Sequence, residues 1–318
     1  MTGNRFVAAA AQAAPVFLDK KSTVDKACQL IKRAAHEGAS LIVFPEVFIA
    51  GYPDWLWVVP GARKDLHTEL YTELLTNAVT IPDQATDKLC REAKKAGIYV
   101  VMGMHERNAE ASNASLYNTL LYIDANGQIM GKHRKLVPTG AERLVWARGD
   151  GSTLEVYDTP MGKVSGLICW ENYMPLARSA LYSSGTQVYV APTWDSSEPW
   201  LTALRHIANE GGTFVIGCCA AMRMDDIPDR YEFKTLYAQG KEWINAGNSC
   251  IVNPKGQFIA GPVATKEEIL YAEVDLGLIP ASKWIFDVAG HYARPDVFKF
   301  SVIREPHPPV RPGESKKK

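Results

Sequence analysis

Residues 22–45 read STVDKACQLIKRAAHEGASLIVFP, and the class of the fold turns on them. Val24, Cys28, Ile31 and Ala35 fall at i, i+4, i+7 and i+11, which is one face of a helix. Gly38 then suits a helix end, because a residue without a Cβ takes the left-handed conformation freely. LIVFP follows with no polar alternation, as a strand buried on both faces would. The same unit returns as TDKLCREAKKAG before IYVVMGM, as LARSALYSSG before TQVYVAP, and as LTALRHIANEGG before TFVIGCCA. Helices alternating with doubly buried strands predict an α/β fold.

Three hairpin signals interrupt this rhythm, so the sheets are expected to be mixed. Asn126-Gly127 is a two-residue turn signal between LYNTLLYID and QIMGKHRK. TPMGK joins TLEVYD to VSGLIC, and NPKGQ joins NSCIV to FIAGP. No linker or low-complexity stretch divides the chain before its last residues, which predicts one domain over 1–303. Residues 304–318, REPHPPVRPGESKKK, are rich in proline and charge and predict a flexible tail.

Composition narrows the function classes. The chain has 318 residues, 47% of them hydrophobic, which suffices for a sizeable core. Lys plus Arg and Asp plus Glu both number 35, so no charge excess points to nucleic acid or a membrane surface. The stretch RFVAAAAQAAPVF has a lone Arg and an apolar run, like a secretory signal. It is short and carries Gln12, so a first buried strand is the better expectation. No apolar run approaches the roughly 18 residues that span a bilayer. The cysteines are Cys28, Cys90, Cys169, Cys218, Cys219 and Cys250, with no C-x-x-C pair to hold a metal. Cys28 and Cys90 sit in helical patterns, and Cys218, Cys219 and Cys250 in strand-like runs, where thiols behave as small hydrophobes. Free thiols point to a reducing, cytoplasmic location.

Reacting groups in α/β folds collect beyond the carboxyl ends of strands. Three candidates are expected there: Glu46 after LIVFP, Lys135 at the end of QIMGKHRK, and Cys169 at the end of VSGLIC. A thiolate is the nucleophilic form of cysteine. A carboxylate can take the thiol proton, and an ammonium can stabilise the anions that follow. Each residue alone has a plain alternative: a strand-end cap, a surface charge, a core thiol. Cys–His catalysis through His133 is a further alternative.

FPEVFIAGYP at 44–53, HRKLVPTGAER at 133–143 and CWENYMP at 169–175 together resemble the three catalytic blocks of the nitrilase superfamily. The resemblance implies a Glu46–Lys135–Cys169 triad, with Glu142 as a second glutamate that positions the lysine or the substrate. The alternative for Glu142 is an ion pair with Arg143 or another neighbour. Trp170, Glu171 and Asn172 after the cysteine resemble the true nitrilases rather than the amidase branches, as do ERLVWARGDG and GHYARPDVF. The resemblance further implies a four-layer α-β-β-α sandwich with mixed sheets, no metal or organic cofactor, and a homo-oligomer built from dimers. The activity it implies is hydrolysis of a small nitrile to the acid and ammonia through a thioimidate and a thioester. A cyanide-degrading enzyme, an amidase of the same fold and a non-catalytic binding protein are the rivals. Aromatic residues crowd the candidate blocks: Phe48, Tyr52, Trp55, Trp57, Trp194 and Trp200. They suit an aryl-substituted nitrile, with Tyr52 and Trp170 as the expected substrate contacts.

Overall fold

The computed structural model describes residues 5–307. The first half runs β1 (Arg5–Gln12), α1 (Lys20–His36), β2 (Ala39–Val43), α2 (Lys64–Thr76), α3 (Gln84–Ala96), β3 (Tyr99–Arg107), β4 (Leu116–Ile123) and β5 (Ile129–Arg134). The second runs β6 (Tyr157–Thr159), β7 (Gly162–Gly166), α4 (Pro175–Ser183), β8 (Val188–Thr193), α5 (Glu198–Gly211), β9 (Phe214–Cys219), β10 (Ala221–Arg223), β11 (Trp243–Val252), β12 (Phe258–Ala264), β13 (Glu268–Asp275) and α6 (Leu278–Ile285).

These strands make two mixed sheets. One has six strands in the order β13-β1-β2-β3-β4-β5, and the other has seven, β10-β11-β9-β8-β7-β6 with β12 beside β11. Strands β1, β2 and β3 are parallel, as are β7, β8 and β9. The hairpins add antiparallel strands outside them.

The layers follow from side-chain period. Along β1, Ala8 and Ala10 pack with Leu41, Val43, Val190 and Ile216 between the two sheets. Ala9 and Ala11 point the other way, against Ile31 and Leu89 of α1 and α3. A strand with period two and helix on one side, sheet on the other, must be apolar throughout. That explains the alanine run, which is an inner strand with β13 and β2 on its flanks. On the second sheet, Tyr189, Ala191 and Val215 face Leu181, Leu204 and Ile207 of α4 and α5. The order is helix, sheet, sheet, helix, the α-β-β-α sandwich that the sequence motifs imply.

Helix α3 illustrates how local chemistry sets a boundary. Asp83 accepts the N–H groups of Ala85 and Thr86, while the Thr86 hydroxyl accepts the Asp83 N–H at 2.8 Å. Such reciprocal capping satisfies orphan donors of the first turn.

Three expectations need correction. The β4–β5 connection is not a two-residue turn. It spans Asp124–Gln128, closed by Asp124 N–H to Gln128 O at 2.9 Å, with Gly127 at φ +75°. A three-residue hairpin loop with glycine in the left-handed position has this form. Cys169 does not end a strand: β7 stops at Gly166, and Cys169 opens a 3-10 turn over Cys169–Tyr173. Lys135 lies one residue past β5. At the chain end, Arg304 bonds the Glu155 carboxylate at 3.2 Å and His307 N–H donates to Asp150 at 2.7 Å. The rest of the expected tail, 308–318, lies outside the described residues.

Candidate active site

Glu46, Lys135, Glu142 and Cys169 come from four loops, yet the fold brings them into one buried cluster. Glu46 lies just beyond β2 and Lys135 just beyond β5; Glu142 sits in a 3-10 turn over Gly140–Leu144, and Cys169 beyond β7. All four are buried, Lys135 completely. Lys135 Nζ donates to Glu46 Oε1 and to Glu142 Oε2, each at 2.8 Å. Burial alone would lower the lysine's pKa; the charges of Glu46 and Glu142 outweigh it, and the ammonium holds its proton above the usual lysine range. Glu142 is further bound by Tyr52 OH at 2.8 Å and Thr139 N–H at 2.7 Å. Arg143 is not its partner, since its Nε donates to Pro138 O at 3.2 Å.

Glu46 is asymmetric. Its Oε1 accepts both Lys135 Nζ and Asn118 Nδ2, the latter at 2.7 Å. Its Oε2 is buried without a hydrogen-bond partner. Burial pushes its pKa up, Lys135 opposes this, and Glu142 adds to it, leaving it above the ordinary carboxylate range. A buried acceptor with no donor is costly, and an unpaired carboxylate oxygen has a lone pair free to accept a proton.

Cys169 adopts φ +52°, a conformation rare outside glycine and asparagine. Such strain persists only where the surroundings impose it. Here Glu171 and Asn172 impose it. The Glu171 carboxylate accepts Ile168 N–H at 2.8 Å and Leu136 N–H at 2.5 Å. It therefore ties the lysine's segment to the cysteine's. Asn172 Nδ2 donates to Leu167 O at 3.0 Å and Cys169 O at 2.8 Å, and its Oδ1 accepts Tyr189 OH at 2.7 Å. The residues after the cysteine are thus braces for its turn. His133 is taken up by the same brace, with Nε2 facing Glu171 at 3.1 Å and Nδ1 facing Thr153 O at 3.1 Å, so both ring nitrogens are engaged away from the Cys169 sulfur. Burial raises the Cys169 thiol pKa, Glu46 and Glu142 raise it further, and Lys135 and Thr193 pull it back in part. A thiol pushed up in this way favours its protonated form, so nucleophilic attack calls for a base.

Cys169 and Glu142 open onto a cavity of about 420 Å³ whose walls include Tyr52, Trp57, Trp170 and Trp194. Tyr52 and Trp194 stack at 4.7 Å with 7° between their planes. Asp54 holds that wall, accepting Trp194 Nε1 at 2.8 Å and Tyr237 OH at 2.5 Å. Trp170 is half exposed, with Nε1 donating to Asp195 at 2.9 Å. Of the other aromatics, Trp55, Phe48 and Trp200 are core residues. Asn118, Thr193 and Asp54 were not among the expected site residues. They look like ordinary strand or turn polars in the sequence, and only their buried partners reveal them. Among the described residues no group of His, Cys, Asp or Glu could hold a metal ion, and no helix is long and apolar enough to cross a membrane.

Comparison with known proteins agrees with this geometry. The carbon–nitrogen hydrolase family model matches residues 7–283. The chain is 43% identical to an aliphatic nitrilase of Sinorhizobium fredii over 304 residues, covering 95% of this chain and 97% of that one. It is 43% identical to a bifunctional nitrilase/nitrile hydratase of Nicotiana tabacum, covering 92% of this chain and 84% of the relative. Among solved structures, the NitFhit protein of C. elegans superposes with a TM-score of 0.72 at 20% identity, covering 95% of this chain and 68% of that one. That likeness bears on the fold; the family rests on the closer sequences, and by them the chain belongs to the nitrilases of the carbon–nitrogen hydrolase family.

Proposed function

We propose that the protein hydrolyses an organic nitrile to the carboxylic acid and ammonia, with Cys169 as nucleophile, Glu46 as general base and Lys135 as electrostatic catalyst. The observation that carries the assignment is one buried ammonium bridging two carboxylates in the same buried cluster as the Cys169 thiol. Glu46 Oε2 takes the thiol proton as Sγ attacks the nitrile carbon. The carbon–sulfur bond forms, one π bond of the nitrile opens onto nitrogen, and the proton passes there to give a thioimidate. Lys135 and the Trp170 N–H, which lies in the first turn of a 3-10 segment, stabilise charge on that nitrogen. Water, losing a proton to Glu46, attacks the thioimidate; ammonia departs and a thioester remains. A second water releases the acid and returns the thiol. Glu142 keeps Lys135 in place and the Tyr52 hydroxyl directed inward.

The aromatic walls support an aryl-substituted nitrile, contacted by Tyr52 and Trp170. Exposed Trp284 and Ile285, side by side at the end of α6, support a homo-oligomer that would cover them. Six free thiols support a cytoplasmic location.

The test is a product panel: phenylacetonitrile, benzonitrile, an aliphatic nitrile, cyanide and the matching amides, with acid, amide and ammonia quantified. Acid and ammonia are expected from organic nitriles. Turnover of amides alone would make the protein an amidase, and formamide from cyanide alone a cyanide hydratase. No turnover across the panel would favour a binding protein.

The pH profile gives a second check. Because Glu46 sits above the ordinary range, its protonation begins at a higher pH than for a free carboxyl, and the base is lost as pH falls through that value. The acid limb of kcat/KM is therefore expected above the usual glutamate value of about 4.3. A profile still flat at that pH would remove Glu46 as the base.

A further inference from the structure

We propose that Thr193 is a further catalytic residue, whose hydroxyl holds the Cys169 sulfur in position and donates to it as negative charge forms during attack. The inference rests on the nitrilase reading above. Thr193 is the last residue of β8 and is completely buried. Its Oγ1 lies 3.2 Å from Cys169 Sγ and accepts the Asp195 N–H at 2.8 Å.

A hydroxyl has one proton and two lone pairs. The Asp195 N–H occupies a lone pair, which orients the hydroxyl and leaves its proton for the sulfur. The sulfur then meets a donor on one side, so its own proton must leave toward a different acceptor. Glu46 Oε2, buried and unpartnered, is available for it. Thr193 thus selects the direction of proton transfer as well as the rotamer of the nucleophile.

The groups coupled to this sulfur are Glu46, Lys135, Glu142, Tyr52, Tyr173 and Cys219. Lys135 is the one cation among them, and its ammonium already serves two carboxylates. The Thr193 proton has no competing acceptor of that kind. A hydrogen bond to a group that becomes charged strengthens as the charge develops, so it lowers the barrier rather than only holding the ground state.

Thr193→Val keeps the shape and removes the hydroxyl; Thr193→Ser restores it; Thr193→Ala serves if the valine does not fold. Alkylation of Cys169 by iodoacetamide, located by peptide mass, is followed against pH beside kcat and KM for a nitrile. Thr193→Val is expected to lower kcat about ten- to hundredfold with KM little changed, the range for a hydrogen bond to a charged group. Alkylation should slow at every pH tested, and serine should restore most of both. Unchanged alkylation and kcat in the valine variant would overturn the proposal, as would a serine variant no better than valine. Alkylation requires no nitrile turnover. A wild-type protein with Thr193-dependent alkylation but no nitrile hydrolysis would remove the nitrilase reading and leave the hydroxyl's action on sulfur standing.

Discussion

Cys169→Ala is expected to lose all nitrile turnover and all covalent adduct while keeping its fold. The sulfur makes one side-chain hydrogen bond, from Thr193, and the thiol is neutral, so its removal leaves no uncompensated charge. The loss of stability should be about 1 kcal/mol, the usual size for a small core deletion. The backbone adds a sharper test. At φ +52° alanine is as strained as cysteine, whereas glycine is not. Cys169→Gly should therefore be equally inactive and at least as stable as Cys169→Ala. Thermal melts with mass spectra of substrate-treated protein check both points. Residual turnover in either variant would end the role of Cys169 as nucleophile.

Lys135→Met should damage activity and stability together. It removes the cation shared by Glu46 and Glu142, both buried. Breaking a buried ion pair from one side typically costs about 3–5 kcal/mol, because a charge is left without compensation. The catalytic loss should reach at least about 10²–10³, the value of one electrostatic donor in an active site. The stability defect should also depend on pH. Burial and Glu142 already push the Glu46 carboxyl up, and losing Lys135 pushes it further. A carboxyl whose folded pKa lies above its unfolded one destabilises the fold at high pH, and the penalty fades as pH falls through the folded value. The melting-temperature gap to wild type should therefore narrow as pH falls from the alkaline side through the raised Glu46 value. A gap that stays constant with pH would mean that the lysine's packing matters and its charge does not.

The folding units were legible because they depend on local periodicity. Val24, Cys28 and Ile31 occupy the buried face of α1, and the alanines of β1 form a doubly covered strand. Helix α2 is harder to read from the sequence, although Leu66, Leu70 and Leu74 mark its buried face. Its acidic and threonine-rich remainder faces outward and hides that stripe. Asn126-Gly127 correctly marked a turn but misled as to its length, because the left-handed glycine closes a longer loop as readily as a two-residue one.

For the site, sequence alone determined which residue types the chain offers: a carboxylate, an ammonium and a thiol just beyond buried strands, in blocks specific enough to indicate a family. Tertiary structure decided what those groups can do. Lys135 bridges Glu46 and Glu142 only because β2, β5 and the turn at Gly140 converge across the sheet ends. Asn118 fills one oxygen of Glu46, and Thr193 meets the Cys169 sulfur from β8, 24 residues along the chain. Protonation states, the unpaired oxygen and the strained cysteine arise from burial and from contacts between segments far apart in sequence. No local pattern encodes them, because the energy of a buried charge or hydrogen bond is set by the neighbours that folding supplies.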